Sequence, residues 1–455
     1  MFVNRKRELG FLRDRARNKT GEFIVIYGKR RVGKTELVKQ FFKGIPHVYF
    51  LADKTSEKEQ LRNLAEKIGL FNNDSFLLSR SFGTWQEVFT YLKTHGSMAL
   101  AIDEFPYLIE SNSAVPSIFQ RGWDEYLKDS EVFLILSGSS IGMMETEVLG
   151  HKSPLFGRRT GQLRVEPMDF FEAKDFFKDL TDEQFMPVYC ILGGTPAYLL
   201  QFNSQKSLWK NIEDQILKTE AYLYREPEFI LREELREPRN YFSILRAMAM
   251  GKTRVSEIIN ETGFDKSLVG KYISILQDLS IVERDVPVTE KNPEKSKKGL
   301  YFLSDEFFRF WFRFVFPNMS FIEEDDSSYV LRQKIQPEFD QFISLTFEKV
   351  CRKLVSKGNT ANLRFPKTGR WWTRDAEIDV VGVNEEENTI LFGEAKWSNK
   401  KVGIDVYNNL RQKATLVEWG MPDRKEIFVL FSRKGFTADL VHHAKNEKII
   451  LHSFS

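Results

Sequence analysis

The stretch Phe23-Ile24-Val25-Ile26-Tyr27-Gly28-Lys29-Arg30-Arg31-Val32-Gly33-Lys34-Thr35-Glu36-Leu37-Val38 decides the amino-terminal fold. An apolar, β-forming run enters Gly28–Thr35, which matches the phosphate-loop pattern residue for residue, and a helical pattern follows. The pattern has a physical basis. Glycines let backbone N–H groups turn inward around a phosphate, and the helix behind them points its positive end at the same place. The expected cradle for ATP is therefore Gly28, Lys29, Arg30, Arg31, Val32 and Gly33. Lys34 would reach the β- and γ-phosphates, and the Thr35 hydroxyl would ligate Mg²⁺.

Working outward, Met98-Ala99-Leu100-Ala101-Ile102 reads as a buried strand ending in Asp103-Glu104. At the carboxyl end of a parallel strand an aspartate can hold Mg²⁺ through its water shell, and the next glutamate can polarise the attacking water. Asp103 is thus a candidate metal residue and Glu104 a candidate catalytic one. A further strand, Val132–Leu136, ends at Ser137-Gly138-Ser139-Ser140, where Ser137 is a candidate γ-phosphate sensor or part of a serine-capped turn into a helix. Pro154-Leu155-Phe156-Gly157-Arg158-Arg159 offers Arg158 and Arg159 as candidate arginine fingers acting across a homo-oligomer boundary. Together with His47–Leu51, these strands alternate with helical patterns, which predicts a parallel sheet covered on both faces.

These residues resemble the archaeal-type ATPase family within the signal-transduction (STAND) class of AAA+-related proteins. The resemblance rests on Phe2-Val3-Asn4-Arg5 with Glu8-Leu9, on Gly28–Thr35, on Ile102-Asp103-Glu104, on Gly157-Arg158 and on Gly193-Gly194-Thr195-Pro196-Ala197-Tyr198-Leu199. It implies that Asn4 and Arg5 lie near the nucleotide base and that Pro196 belongs to a nucleotide-sensing turn of a helical lid. It covers roughly residues 1–240.

The rest of the 455 residues calls for further domains. The expected divisions are an ATPase core over 1–165, a helical lid over 166–240, a winged helix over 241–303 and an α/β domain over 304–455. Hydrophobic residues make up 42% and charged residues 29%, as in a folded globular chain rather than a disordered one. The formal net charge is only +3, so a nucleic-acid surface has to be a local patch. Cys190 and Cys351 make neither a disulfide framework nor a metal cluster, and Met1–Arg7 lacks a signal-peptide core. No apolar run is long enough for a membrane helix. A cytoplasmic protein is expected.

Tyr241–Met250, Arg254–Glu261 and Lys266–Leu279 read as three amphipathic helices. Strands Ile281–Val288 and Leu300–Leu303 then frame a loop carrying Lys291, Lys295, Lys297 and Lys298, the order of a winged helix-turn-helix. On the third helix Leu268, Tyr272, Ile275 and Leu279 are expected to face the core, leaving Lys266, Ser267, Lys271 and Ser274 outward. Such a module binds DNA, with its wing on phosphates, or serves as a packing or partner module.

Near the carboxyl end, a helix around Pro337–Val355 carries Glu348, and Ala376-Glu377-Ile378-Asp379-Val380-Val381 reads as a strand. A polar turn over Asn384–Asn388 leads to Thr389–Gly393 and then Glu394-Ala395-Lys396. Strand alternation puts Glu394 and Lys396 on one face. Asp379 and Glu394, with Glu348, could hold Mg²⁺ or Mn²⁺ against a scissile phosphate, while Lys396 orients water or stabilises developing charge. Gln412 lies on a later helix and either approaches this site or belongs to a solvated face. The set resembles the PD-(D/E)xK nuclease core, which implies a restriction-endonuclease-like fold acting on DNA. Tyr301–Asp305 and Phe310-Trp311-Phe312 resemble the entry to a domain fused behind archaeal-type ATPases. The expected whole is an ATP-driven switch or motor joined to a nuclease; the rival expectation is a nucleotide-gated regulatory scaffold whose nuclease-like domain is inactive.

Overall fold

The computed structural model describes residues 2–95, 98–235, 237–358, 360 and 363–454; Met1, with which the basic opening stretch begins, lies outside them. The chain divides into two compact units, Met1–Met168 with Thr195–Ala197, and Asp169–Gly194 with Tyr198–Ser455.

In the first unit five strands form a wholly parallel sheet: β1 (Glu22–Tyr27), β2 (His47–Leu51), β3 (Ala99–Asp103), β4 (Phe133–Gly138) and β5 (Gly161–Arg164). Their order is β2-β3-β4-β1-β5. Strand alternation explains why β1, β3 and β4 read as unbroken apolar runs. Phe23, Val25, Leu100, Ile102, Leu134 and Leu136 belong to the core on one face, while Ile24, Ile26, Ala99, Ala101, Phe133 and Ile135 belong to the core on the other. The short β5 did not stand out in the sequence, because Gly161-Gln162-Leu163-Arg164 alternates half-buried and exposed residues at a sheet edge.

The second unit holds a mixed five-stranded sheet. Before it come helices Arg239–Ala249, Val255–Thr262 and Lys266–Asp278, followed by the antiparallel pair β6 (Val282–Asp285) and β7 (Leu300–Leu303). In the Lys266–Asp278 helix the buried stripe is Val269, Ile273 and Leu276, one residue on from the expected stripe; Leu268, Tyr272, Ile275 and Leu279 are half-buried. Lys266, Ser267, Lys271 and Ser274 are exposed. The expected strand over Ile281–Val288 is also cut short. After Asp285 the chain leaves its hairpin partner, and the Val288 N–H donates to the Arg370 carbonyl at 2.8 Å.

That carbonyl lies on β8 (Lys367–Trp372), the edge of a sheet ordered β12-β11-β10-β9-β8. Its other strands are β9 (Glu377–Asn384), β10 (Thr389–Lys396), β11 (Lys425–Ser432) and β12 (Ile450–Ser453). β8, β9 and β10 run antiparallel; β10, β11 and β12 run parallel, with helices Ile404–Ala414 and Ala438–Glu447 making the crossovers. Val288 is buried in the same core as Trp371, Ile378, Ile390 and Leu430. Among the described residues no helix is long and apolar enough to cross a membrane, and both cysteines are buried and unbridged.

Candidate functional site

The chain offers two sets of functional groups, one in each unit. The first gathers at the carboxyl ends of the parallel strands. Gly28 has φ 152°, and a Cβ there would meet the Val165 carbonyl oxygen at 2.3 Å, so only glycine fits without movement. Gly33 has φ 91° and starts the Lys34–Phe41 helix; a Cβ on it would come 3.8 Å from Cγ of Pro196. Pro196 therefore stands beside the phosphate loop. The Lys34 ammonium is buried and donates to the carbonyls of Gly28 and Lys29, each at 2.9 Å, which folds it over the loop. Lys29 and Arg30 are half-buried, Arg31 exposed at φ 69°, and Val32 buried.

Asp103 ends β3, next to β4 in the sheet, and takes three donors. Thr35 Oγ1 donates to its Oδ2 at 2.7 Å, the Tyr49 hydroxyl to the same oxygen at 2.5 Å, and the Glu104 N–H to its Oδ1 at 3.0 Å. Burial and the Asp103 contact push the Tyr49 phenol well above its ordinary pKa. Glu104 sits in the left-handed region at φ 54° and ψ 43°, a conformation costing a non-glycine residue about 1–3 kcal/mol. Ser139 holds its carboxylate there, the hydroxyl donating at 2.5 Å and the N–H at 3.3 Å. The Ser137 hydroxyl, beside Ile26 of β1, is buried and has no hydrogen-bond partner among the described residues. Tyr49 is not marked by the sequence; Ser139 lies within the Ser137–Ser140 run, but its contact with Glu104 follows only from the pairing of β3 with β4.

Arg5 is buried; it pairs with Glu8 at 2.9 Å and donates to the carbonyls of Val32 at 3.0 Å and Glu166 at 2.8 Å, so it braces the back of the loop. Asn4 precedes it at φ 58°. Arg158 is half-buried and pairs at 3.3 Å with Asp124 of its own chain; Arg159 is also half-buried.

The second set lies on β9, β10 and the Phe339–Ser356 helix. Oxygens of Glu348, Glu377 and Asp379 lie within 4.8 Å of one another. Burial first, and the Asp379 charge second, push the Glu348 carboxyl far up; burial first, and Glu394 second, push Asp379 up. One oxygen of Glu348 is buried without a hydrogen-bond partner among the described residues. Arg352 comes within 3.7 Å of it and Arg370 within 3.9 Å, neither close enough to bond. Arg370 is instead engaged with Glu377, and Arg352 donates to the Asp379 carbonyl at 2.8 Å. Three carboxylates whose oxygens converge, one of those of Glu348 buried and unbonded, are what a divalent cation would neutralise, so the residues present fit one.

Glu394 stands outside that triad. It is buried and accepts from Lys396 at 2.7 Å and from Lys413 at 3.3 Å on each oxygen. Asp379 accepts from the Ala395 N–H at 3.0 Å, which ties the two strands. Burial pulls the Lys396 pKa down, but Glu394 and then Asp379 outweigh it and leave the ammonium above its ordinary value. Gln412 is exposed, whereas its neighbour Lys413 reaches Glu394. Sequence reasoning passed over Glu377, although its two-residue spacing from Asp379 puts both on one face of β9. Arg352, Arg370 and Lys413 carried no such signal.

Comparison with known proteins gives this geometry a context. Residues 2–202 match a model described as an ATPase domain predominantly from Archaea. Residues 311–407 match one described as archaeal and bacterial proteins of unknown function. A protein of Methanocaldococcus jannaschii designated MJECL04 is 35% identical over 439 residues, which cover 95% of this chain and 96% of that protein. A second protein of that organism, described as ATP-binding, is 51% identical over 43 residues, 10% of this chain and 73% of its own length. Among solved structures, a Walker-type ATPase of Pyrococcus abyssi superposes with a TM-score of 0.52 at 21% identity, covering 69% of this chain and 96% of that one. That likeness bears on the fold.

Proposed function

This chain belongs to an ATPase family found predominantly in Archaea, and on that premise we propose that it is an ATP-hydrolysing switch or motor coupled to a DNA-binding, metal-dependent nuclease. The observation that carries the ATPase half is Asp103, whose carboxylate bonds Thr35 of the phosphate loop and whose neighbour Glu104 is strained and held. The positive φ of Gly28 and Gly33 lets the loop turn around phosphates, and Lys34 turns from the loop carbonyls to the β- and γ-phosphates of ATP. Mg²⁺ would be held by Thr35 and, through water, by Asp103, supplying charge neutralisation to the phosphates. Glu104 takes the proton of the attacking water, and the orphaned Ser137 hydroxyl donates to the γ-phosphate. Asn4 and Pro196 shape the nucleotide-side walls, and Arg5 supports the loop from behind. Arg158 would leave Asp124 to act on a neighbouring protomer, with Arg159 the second candidate.

In the second half we read a PD-(D/E)xK nuclease. Glu348, Glu377 and Asp379 would hold Mg²⁺ or Mn²⁺, which polarises a scissile phosphate when bound. Lys396 orients the attacking water, and Glu394 fixes that ammonium with help from Lys413. The helices over 239–278 with β6 and β7 are read as a winged helix, and its exposed Lys291, Lys295, Lys297 and Lys298 supply phosphate contacts. A cytoplasmic location follows from this reading.

One observation favours a second reading. Glu394 is shared by Lys396 and Lys413, an engagement that suits a nuclease-like domain retained as a regulatory scaffold. Cleavage of linear, branched and single-stranded DNA with Mg²⁺ or Mn²⁺, with and without ATP, separates the two. ATP-sensitive cutting abolished by Asp379→Ala supports the nuclease; ATP hydrolysis without cutting supports the scaffold.

A further inference from the structure

Within the second unit a cavity of about 260 Å³ opens between the carboxyl end of the Arg239–Ala249 helix, the β6–β7 pair and the Phe339–Ser356 helix. Its lining includes the apolar Met248, Phe302, Phe342 and Leu345. It also includes the cations Arg309, Arg313, Lys349, Arg352 and Arg370 and the carboxylates Glu283, Asp285 and Glu338. Five cations stand among three carboxylates in the lining, and Glu306, Glu348 and Glu377 outside it pair with Lys349, Arg352 and Arg370, so the unmatched cation is Arg309.

The pairing is uneven. Lys349 takes Glu283 at 2.8 Å and Glu306 at 3.6 Å, and Arg313 takes Glu338. Arg309 has no carboxylate within ion-pair distance among the described residues. Its hydrogen bonds go to Thr346 Oγ1 at 2.7 Å, the Phe342 carbonyl at 3.3 Å and Cys190 Sγ at 3.3 Å, all neutral groups. Its guanidinium is held 4.1 Å over the Phe342 ring. The buried Nε of Arg370 has no hydrogen-bond partner among the described residues, and contacts beyond the cavity to Glu377 and Glu348 keep this side chain in place. Cations fixed in advance, with unused donors and apolar residues in the same lining, meet the requirements of an anion-recognition site at little ordering cost.

We propose that this cavity binds a small organic acid, with a carboxylate or phosphate head among Arg309, Lys349 and Arg370 and an aromatic or branched apolar body against Met248, Phe302 and Leu345. The volume accommodates a ring and its acid group and is too small for a polymer. The site shares no residue with the phosphate loop, and the inference does not depend on the function proposed for either unit.

The test uses the full chain in EDTA and three probes of nearly one shape: phenylacetate, phenylethanol and phenethylamine. Ligand-detected NMR and calorimetry should show phenylacetate binding roughly tenfold or more tighter than the alcohol, with the amine weakest, as a hydrogen-bonded charge requires. Added salt should weaken the acid and spare the alcohol. Leu345→Trp, at an exposed rim position where folding is little at risk, fills the cavity and should abolish phenylacetate binding. Lys349→Met should weaken it severalfold. No binding of phenylacetate at millimolar concentration, equal affinity for acid and alcohol, or binding that survives Leu345→Trp would each overturn the proposal.

Discussion

Thr35 and Asp103, 68 residues apart in the chain, are joined by a 2.7 Å hydrogen bond that links the phosphate loop to the carboxyl end of β3. Tyr49 donates to the same carboxylate oxygen, so Asp103 is oriented by two hydroxyls before any nucleotide arrives. Asp103→Asn should leave the sheet intact and cut ATP turnover by about 100-fold or more, because the amide keeps the shape but loses the charge. Tyr49→Phe should cost much less, since Thr35 still holds the aspartate. Phosphate-release rates for the two variants, compared at saturating ATP, check the order.

Glu104 gives a sharper contrast. Glu104→Gln should bind ATP with unchanged affinity and hydrolyse it about 10²–10⁴ times more slowly, the range for loss of a general base. Glu104→Gly should relieve the backbone strain at φ 54° and raise thermal stability while also losing turnover. Nucleotide titration, single-turnover kinetics and a melting curve measure the three effects.

The triad shared by β9 and the Phe339–Ser356 helix makes the second unit sensitive to pH in the metal-free protein. The folded-state pKa values of Asp379 and Glu348 are raised above their unfolded values, so the folded state binds more protons than the unfolded one in the interval between them. Stability should therefore fall as pH rises from the ordinary carboxylate range toward about 8, the value to which Glu348 is pushed. Saturating Mn²⁺ should remove most of that slope. Melting temperatures at several pH values, in EDTA and in Mn²⁺, test the sign; a metal-free protein that gains stability across this interval contradicts it.

Asp379→Asn removes one of the repelling charges without changing shape. In EDTA at pH 8 it should melt at least a few degrees higher than the parent, about 2–4 °C per kcal/mol for a domain of this scale. It should also lose the stabilisation by Mn²⁺. A lower melting temperature in EDTA would mean that the Ala395 N–H bond to this carboxylate outweighs the repulsion.

Val288 is buried in the core of the mixed sheet, and Val288→Ala should destabilise the second unit by about 1–3 kcal/mol, within the range for truncated core side chains. Val288→Asp should do so far more severely, because it buries an unpaired charge. Denaturant titration followed by tryptophan fluorescence, with Trp371 and Trp372 in the adjoining strand, reports both changes.

The legible parts of this chain were those written in consecutive residues. Gly28–Thr35 and the strands β1 to β4 could be placed because an apolar run, a loop and a helix each declare themselves within a few residues. So could β9 and β10, whose alternation predicted a shared face for Glu394 and Lys396, now 2.7 Å apart. The edge strand β5 could not, for it is short and half-polar. Nor could Lys413, since a crossover helix has to be folded back on β10 before its ammonium meets Glu394. The Lys266–Asp278 helix shows a subtler limit. Its apolar residues Leu268, Val269, Tyr272, Ile273, Ile275, Leu276 and Leu279 fill a wide stripe, and packing rather than periodicity chose Val269, Ile273 and Leu276 as its centre.

The bond from Val288 to Arg370 also sets a length scale. The loop carrying Lys291 to Lys298 departs from a point fastened to β8, and β8 is the neighbour of the strand that bears Asp379. Lys367 on β8 reinforces the fastening by donating to the Glu290 carbonyl at 3.4 Å. The lysine loop and the carboxylates are thus mounted on one frame. If, as proposed, those lysines hold a nucleic-acid strand and the carboxylates act on it, the offset between hold and reaction would be set by the protein's own architecture and would stay the same whatever the sequence that passes through.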